Sequence, residues 1–480
     1  MIHAVPILLG ALFTVATAWS LGMLLLRNLA APFFAWERRL LAFVVGSASL
    51  SEIMFALSAV RLVHRGVLLA IGLAAIGYAL YSGAFRSSGK AFPPLATAWR
   101  WAFIAVFSAF TVYGFFNALA PEHSSDGMSY HLAEVLLYRQ AHGFPRITTD
   151  IYASLSQGIE LLYFFAFDFG RHSAAALVHY TFLIALAFLV LSYGRRIGRP
   201  LVGIAGALFT YTCPIILRDA STAYIDVALA AVLFALFYLL QIWDESRDAR
   251  LLVPIGILAG FGYAIKYTAF LAVPYALGFV AWKLWRTRKP LGSSFVTPLL
   301  VVASCAAAMF LPWMLKNWIE VANPFSPLAN RIFPSPYVHI SFEDFWRRDL
   351  SRYTLASRWQ IPLQVTIHGD QLEGFLGPLF LLTPLAFLAL RFREGRRLLF
   401  AGALFASTYF GNIGTRFLIP VVPFVSLALA LAIANLPWLL IALVAADTIA
   451  CWPGMYLTYC APGAWRVEGV PVLAALRIQP

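Results

Sequence analysis

The stretch Trp101-Ala-Phe-Ile-Ala-Val-Phe-Ser-Ala-Phe-Thr-Val-Tyr-Gly-Phe-Phe-Asn-Ala-Leu-Ala120 runs directly into Pro121-Glu-His-Ser-Ser-Asp-Gly-Met-Ser-Tyr-His131. The first part carries no charged residue and is long enough to cross a bilayer core, which takes about 20 mostly apolar residues. The second part gathers Glu122, His123, Asp126, Tyr130 and His131 within one turn of chain. Ionisable groups at a membrane boundary are costly to desolvate and mark functional candidates. Asp126 is the first of these.

The 480 residues are 61% hydrophobic and 12% charged. A soluble domain carries about 25% charged residues, so the composition reads as an all-α, polytopic integral membrane protein. Helix is the form expected for each span because hydrocarbon offers the backbone no hydrogen-bond partner. The formal charge of +13 comes from short basic loops between apolar runs. That pattern excludes a nucleic-acid partner and points to the bilayer. Cys213 and Cys305 lie inside apolar runs, Cys451 and Cys460 are spaced so that they could pair, and no Cys/His metal motif occurs. The N-terminal run Val5–Leu26 lacks a preceding basic segment and reads as a span rather than a cleavable leader.

About fourteen membrane helices are expected. The first ten are Val5–Leu26, Leu40–Val60, Val67–Phe85, Trp101–Ala120, Ala174–Tyr193, Leu201–Leu217, Ala223–Trp243, Leu251–Ile265, Thr268–Trp285 and Val296–Leu315. Phe375–Leu390, Leu398–Phe410, Phe417–Ala434 and Leu436–Ala450 complete the set. Gly256, Gly260 and Gly262 mark the Leu251 span as bent or partial. Short amphipathic helices are expected on the membrane surface near Gly158–Phe169 and within Ser341–Tyr353. On the first of these, Glu160 and Asp168 read as solvated. Residues 1–100 hold N-terminal helices without an assigned role, 101–434 a core with outer loops 121–170 and 316–373, and 435–480 the last helix and a short tail.

The basic loops set the orientation. Arg195, Arg196 and Arg199, then Lys283, Arg286, Arg288 and Lys289, then Arg391, Arg393, Arg396 and Arg397 fall on one side, with Arg38, Arg39, Arg86 and Lys90. The positive-inside rule makes that side cytoplasmic. Arg61 and Arg65 depart from the pattern. The Pro121–Asp150 loop and the Lys316–Glu373 segment then face outward.

Three further polar features share the outer face. They are Arg218-Asp-Ala-Ser-Thr-Ala-Tyr-Ile-Asp226, Gly260-Phe-Gly-Tyr-Ala-Ile-Lys-Tyr267 and Thr415-Arg-Phe-Leu-Ile-Pro-Val-Val-Pro423. Two carboxylates, Asp126 and Asp226, and two cations, Lys266 and Arg416, suit a reaction in which a hydroxyl loses a proton and an anion leaves. A carboxylate in reach takes the proton, and poorly screened cations stabilise charge on a departing phosphate. Each residue also has a plainer reading: Asp226 as a helix cap, Lys266 as a snorkelling side chain, Arg416 as an interfacial anchor, and the histidines as packing groups.

Together these elements resemble the GT-C superfamily of membrane glycosyltransferases, in particular the lipid A aminoarabinose transferases and protein O-mannosyltransferases. The resembling residues are Asp126-Gly-Met-Ser-Tyr-His131, Thr222-Ala-Tyr-Ile-Asp226, Gly256 through Tyr267, Pro312-Trp-Met-Leu-Lys-Asn-Trp with Asn323-Pro-Phe-Ser-Pro327, and Arg416-Phe-Leu-Ile-Pro-Val-Val-Pro423. The resemblance implies a donor sugar on polyprenyl phosphate, transfer at the periplasmic face and inversion at the anomeric carbon. It makes Asp126 the general base or the ligand of a divalent cation (Mg or Mn), and Asp226 a second acidic group. Lys266 and Arg416 become donor-phosphate ligands, with Tyr130, His131 and Glu122 around the substrate. Many relatives place two adjacent acids in this first loop, whereas Gly127 follows Asp126 here. The rival readings are a transporter or flippase of lipid-linked sugars and an enzyme of the O-antigen polymerase or ligase kind.

Overall fold

The structure is a computed structural model that describes residues 4–29, 31–86, 89–286, 293–467 and 469–477. Arg288 and Lys289 of the second basic loop lie outside the described residues. Among the described residues the regular structure is helical throughout, with a single isolated bridge between Phe34 and Lys90.

Eight helices among the described residues are long and apolar enough to cross a membrane, or nine if a bent pair counts as one span. Four shorter apolar helices accompany them. The order is α1 (Ala4–Leu26), α2 (Ala35–Ala59), α3 (Arg65–Tyr81), α4 (Thr97–Leu119), α5 (Leu132–Ala141), α6 (Gly158–Arg196), α7 (Pro200–Tyr211), α8 (Pro214–Ala220) and α9 (Asp226–Ser246). Then come α10 (Leu252–Ile265), α11 (Ala272–Arg286), α12 (Ser293–Val321), α13 (Phe342–Leu350), α14 (Arg393–Ala406), α15 (Val422–Ala432) and α16 (Pro437–Ala450). The Leu201–Leu217 run divides into α7 and α8, bent by 66° where Pro214 opens the second piece.

Two sequence expectations change. Gly158–Phe169 is not a surface helix: it is the buried first part of the 39-residue α6, with Ile159 and Leu161–Ala166 withdrawn from solvent. At 1.5 Å per residue α6 would reach almost twice the thickness of the bilayer core. It breaks at Arg171, where φ is 60° and ψ −162°. The Phe375–Leu390 run is wound as a 3-10 helix, Pro378–Arg391. At about 2.0 Å per residue its length still approaches the core thickness.

Helix α9 is the axis of the molecule. Every side chain from Asp226 to Trp243 is buried against its neighbours. Lipid gives no hydrophobic drive for two helices to meet, so contact depends on small residues that let backbones approach. A Cβ on Gly22 would lie 1.7 Å from the Ala42 carbonyl oxygen, so α1 and α2 touch backbone to backbone. A Cβ on Gly260 would lie 2.2 Å from the Ala306 oxygen, which fixes α10 on α12 in the same way. These contacts set the end of α10, where Lys266 stands.

Candidate active site at one end of the helical core

Four segments meet at one end of α9. The α4–α5 loop delivers Asp126, the first residue of α9 is Asp226, Lys266 follows α10, and Arg416 sits on the 3-10 turn Thr415–Val421 that leads into α15. Arg416 Nη1 donates to Asp126 Oδ2 at 2.5 Å, and the Tyr130 hydroxyl donates to the same oxygen at 3.2 Å. Lys266 Nζ donates to Asp226 Oδ1 at 2.6 Å. The structure thus brings together the two acids and two cations picked out in the sequence and joins them as cross-pairs. Both pairs line one cavity of about 380 Å³.

Aromatic faces hold the cations in place. The Arg416 guanidinium lies 5.4 Å from the Tyr224 ring, 5.2 Å from Phe417 and 5.5 Å from Trp465. Lys266 Nζ lies 4.1 Å from the Phe417 ring. Ring quadrupoles attract such cations without supplying a hydrogen-bond acceptor. Among the described residues Arg416 Nε accordingly remains buried with no partner, a donor still available to an incoming oxyanion.

The charges shape each other. Burial pushes the Asp126 carboxyl up, but the Arg416 guanidinium and its hydrogen bond, aided by His131 and Tyr130, hold it below the usual carboxylate range. Burial above all, with Asp126, Asp226 and Glu160 adding to it and Arg416 opposing, drives the Tyr130 phenol well above its ordinary value, so it stays a neutral donor. Across the cavity, burial raises the Glu373 carboxyl against the opposing pull of Arg416.

His131 and Glu122, both expected near substrate, take different places. His131 lines the cavity, and its Nδ1 lies 2.7 Å from Glu160 Oε1. Glu160 is therefore a buried partner in the site, not a solvated residue. Its cue is that it interrupts Gly158–Ala166, which is apolar on every side. Glu122 faces away from this cavity. Its Oε1 accepts from the amides of His123 and Ser124, and its Oε2 accepts from Ala223 N at 2.6 Å, so it splices the loop onto the Thr222–Asp226 turn. That turn is braced again by Asp219, whose Oδ1 accepts from Val227 N at 3.0 Å. The capping role open to Asp226 thus falls to Asp219. Asp168 pairs with Arg139 on the outside of α5.

The sequence reading missed Tyr152, Trp346, Tyr353, Glu373, Asn412 and Trp465, which also line the cavity. Tyr152 stacks on Tyr130 with ring centroids 4.3 Å apart. Trp346 comes from α13, the amphipathic helix expected within Ser341–Tyr353, which forms a wall of the cavity. Trp465 comes from the tail, anchored where the Tyr113 hydroxyl donates to Val467 O. Cys451 is a thiol, so it does not pair with Cys460.

Among the described residues no three His, Cys, Asp or Glu side chains are grouped to hold a metal ion. Asp126 and Asp226 instead already have cationic partners.

An apolar cavity of about 460 Å³ adjoins the charged one, sharing Leu155, Ser156 and Tyr267 as a common wall. Phe270, Val273, Phe310 and Trp313 line it, with the Pro324–Ala329 segment on its outer side. Asn317 Nδ2 ties α12 to the Tyr152–Ser154 turn, donating to Ser154 O at 2.6 Å, and also reaches Ser326 O in the loop after α12 at 3.5 Å.

The fold and site define a polytopic helical membrane protein with a cavity of paired charges beside an apolar groove. Residues 159–315 match the family model described as dolichyl-phosphate-mannose-protein mannosyltransferase. This interval contains Glu160, Asp219, Asp226 and Lys266, and it bears out the glycosyltransferase resemblance drawn from the motifs. One similar solved structure is the crystal structure of ArnT from Cupriavidus metallidurans bound to undecaprenyl phosphate, at TM-score 0.42 and 14% identity. That match covers 71% of this chain and 61% of ArnT, so the chain spans less than two thirds of that protein. No curated protein sequence matches.

Proposed function

We propose that the protein is a membrane glycosyltransferase that moves a sugar from a polyprenyl-phosphate donor to an acceptor hydroxyl at the periplasmic face. The observation that carries this reading is the pair of cavities: acids and cations in one, an apolar groove beside it. A polyprenyl-phosphate sugar has the same division, with an anionic head on a long hydrocarbon chain. The family match over residues 159–315 supports the same class of reaction.

Arg416 and Lys266 receive the donor phosphate, and the partnerless Arg416 Nε supplies a further donor. Arginine suits this task because its planar fork of N–H groups matches phosphate oxygens. The phosphate competes with Asp126 for Arg416, so donor binding loosens the pair that depresses the Asp126 carboxyl. Asp126 then becomes the stronger base. It takes the proton of the acceptor hydroxyl as that oxygen attacks the anomeric carbon. The bond from that carbon to the phosphate oxygen breaks with inversion, and polyprenyl phosphate leaves with its new charge on Arg416 and Lys266. Asp226 holds Lys266 in position, and His131 with Glu160 forms the floor beneath the reacting groups.

The test is a transfer assay with purified protein, a panel of polyprenyl-phosphate sugars and hydroxyl acceptors, run with and without chelator. Acceptor-dependent release of polyprenyl phosphate that survives chelation is expected. Donor flipping across vesicles without any release would replace this reading with the flippase.

A further inference from the structure

We infer that a second site, at the opposite end of α9, binds an anionic glycerophospholipid. Asp226 and Asp244 stand near the two ends of α9. At 1.5 Å per residue their separation is about 27 Å, close to the core thickness of a bilayer, so this site faces the other leaflet. A cavity of about 840 Å³ lies there between α11 and α14. Along α11 it runs from Pro274 to Arg286, about 18 Å of helix at that rise. Its inner part is lined by Tyr275, Phe279, Phe400 and Leu404, and a Cβ on Gly278 would meet nothing within 4 Å. Its mouth is basic.

The charges at that mouth do not balance. Lys283, Arg286, Arg393, Arg396 and Arg397 line the cavity. Facing them is Asp244, whose Oδ2 accepts from Lys283 at 2.6 Å, Arg397 at 2.5 Å and Arg393 at 3.3 Å, while its Oδ1 accepts from Arg247 at 2.9 Å. Glu245 is engaged elsewhere with Arg196, and Glu394 does not line the cavity. Among the described residues neither Arg286 nor Arg396 has a carboxylate partner: Arg286 lies over Trp282, and Arg396 donates to the Leu390 carbonyl. Both are exposed. The cations are therefore in excess over the one carboxylate that serves them.

An elongated apolar slot with surplus arginines at its mouth matches an acyl chain carrying a phosphodiester head. Trp282 and Trp285, 42% and 69% exposed, stand beside the opening as indoles do at a headgroup boundary. A small soluble anion would use the arginines but leave the apolar slot unfilled. This site does not depend on the transfer reading, since it shares no residue with the charged cavity.

The test is native mass spectrometry of the full chain, extracted with phosphatidylglycerol and phosphatidylcholine in equal amounts. Preferential retention of phosphatidylglycerol is expected. Arg286→Ala with Arg396→Ala should lower that retention roughly fivefold for each arginine removed. Gly278→Phe, which keeps every charge and fills the slot, should lower it as well. If the double variant unfolds, Gly278→Phe alone decides the question. Equal retention of the two lipids, or unchanged retention in Gly278→Phe, overturns the proposal. So does displacement of the lipid by inorganic phosphate, or a preference for polyprenyl phosphate over phosphatidylglycerol.

Discussion

Replacing Asp126 with Asn separates the two jobs that the proposed mechanism gives to one carboxylate. The side chains of Asp126 and Arg416 are 24% and 15% exposed, so the pair is largely withdrawn from water. Removing one partner of a fully buried pair costs about 3–5 kcal/mol. Partial exposure of Asp126 and the aromatic rings around Arg416 reduce this to about 2 kcal/mol. Loss of a general base, in contrast, lowers turnover by about 10²- to 10⁴-fold. Asp126→Asn should therefore unfold at a lower temperature in detergent and release almost no polyprenyl phosphate. Adding Arg416→Gln removes the stranded cation. That double variant should regain about 1 kcal/mol or more of stability, as coupled neighbours do, while turnover stays lost. If Asp126→Asn keeps turnover within about threefold of the parent, Asp126 is not the base. Recovered turnover in the double variant would likewise reduce Asp126 to a counter-ion for Arg416.

Lys266→Met should weaken binding of polyprenyl phosphate by about 10- to 100-fold, as expected for one charge-assisted hydrogen bond, measured by titrating the lipid into detergent-solubilised protein. The acid limb of the pH profile should differ between the two kinetic parameters. In the free enzyme Arg416 holds the Asp126 carboxyl low, so kcat/KM should persist to lower pH than kcat, which reports the donor complex; coincident limbs would show that donor leaves the pair intact. Glu134, buried with neither carboxylate oxygen partnered among the described residues, is pushed up to about 9 by burial first, then by Asp150 and Glu160, against Lys316. Its folded form binds a proton that its unfolded form releases near the ordinary carboxylate value, so stability should fall as pH rises from there to about 9. Glu134→Gln should flatten that slope in thermal unfolding. Gly260→Leu, whose Cβ would meet the Ala306 backbone, should cost about 3 kcal/mol and lower turnover with it, because α10 carries Lys266.

The parts of the molecule legible in the sequence are those where the signal is local. An uninterrupted apolar run must be a helix in lipid, which is why Ala223–Trp243 anticipates α9 to within a few residues. A polar residue at the end of such a run stands out, so Asp126, Asp226, Lys266 and Arg416 could be found without knowing that they touch. What was not legible depends on contacts between distant segments. Nothing near Trp465 or Glu373 announces a cavity, because the tail and the long loop reach the site only after folding. Glu160 was misread because a lone acid in an apolar segment resembles a surface position, and its partner His131 is 29 residues away. Glu122 was misread for the opposite reason: it sits beside Asp126 in sequence, yet its carboxylate is consumed by backbone amides.

The pairing of the four central charges bears on how the site rests and how it fires. Buried ions left alone are very costly, so an empty cavity must neutralise them internally. Here each acid lies against a cation, and in the proposed mechanism the anionic donor breaks into those pairs to bind. The cost of opening a pair is offset by the phosphate taking the place of the carboxylate at Arg416, with no net charge left unpaired on the cation. In the proposed mechanism the carboxylate released by that exchange is Asp126, which lines the same cavity as Arg416. Donor binding and base activation are then one event rather than two, and a hydroxyl entering before the donor meets a carboxylate already occupied.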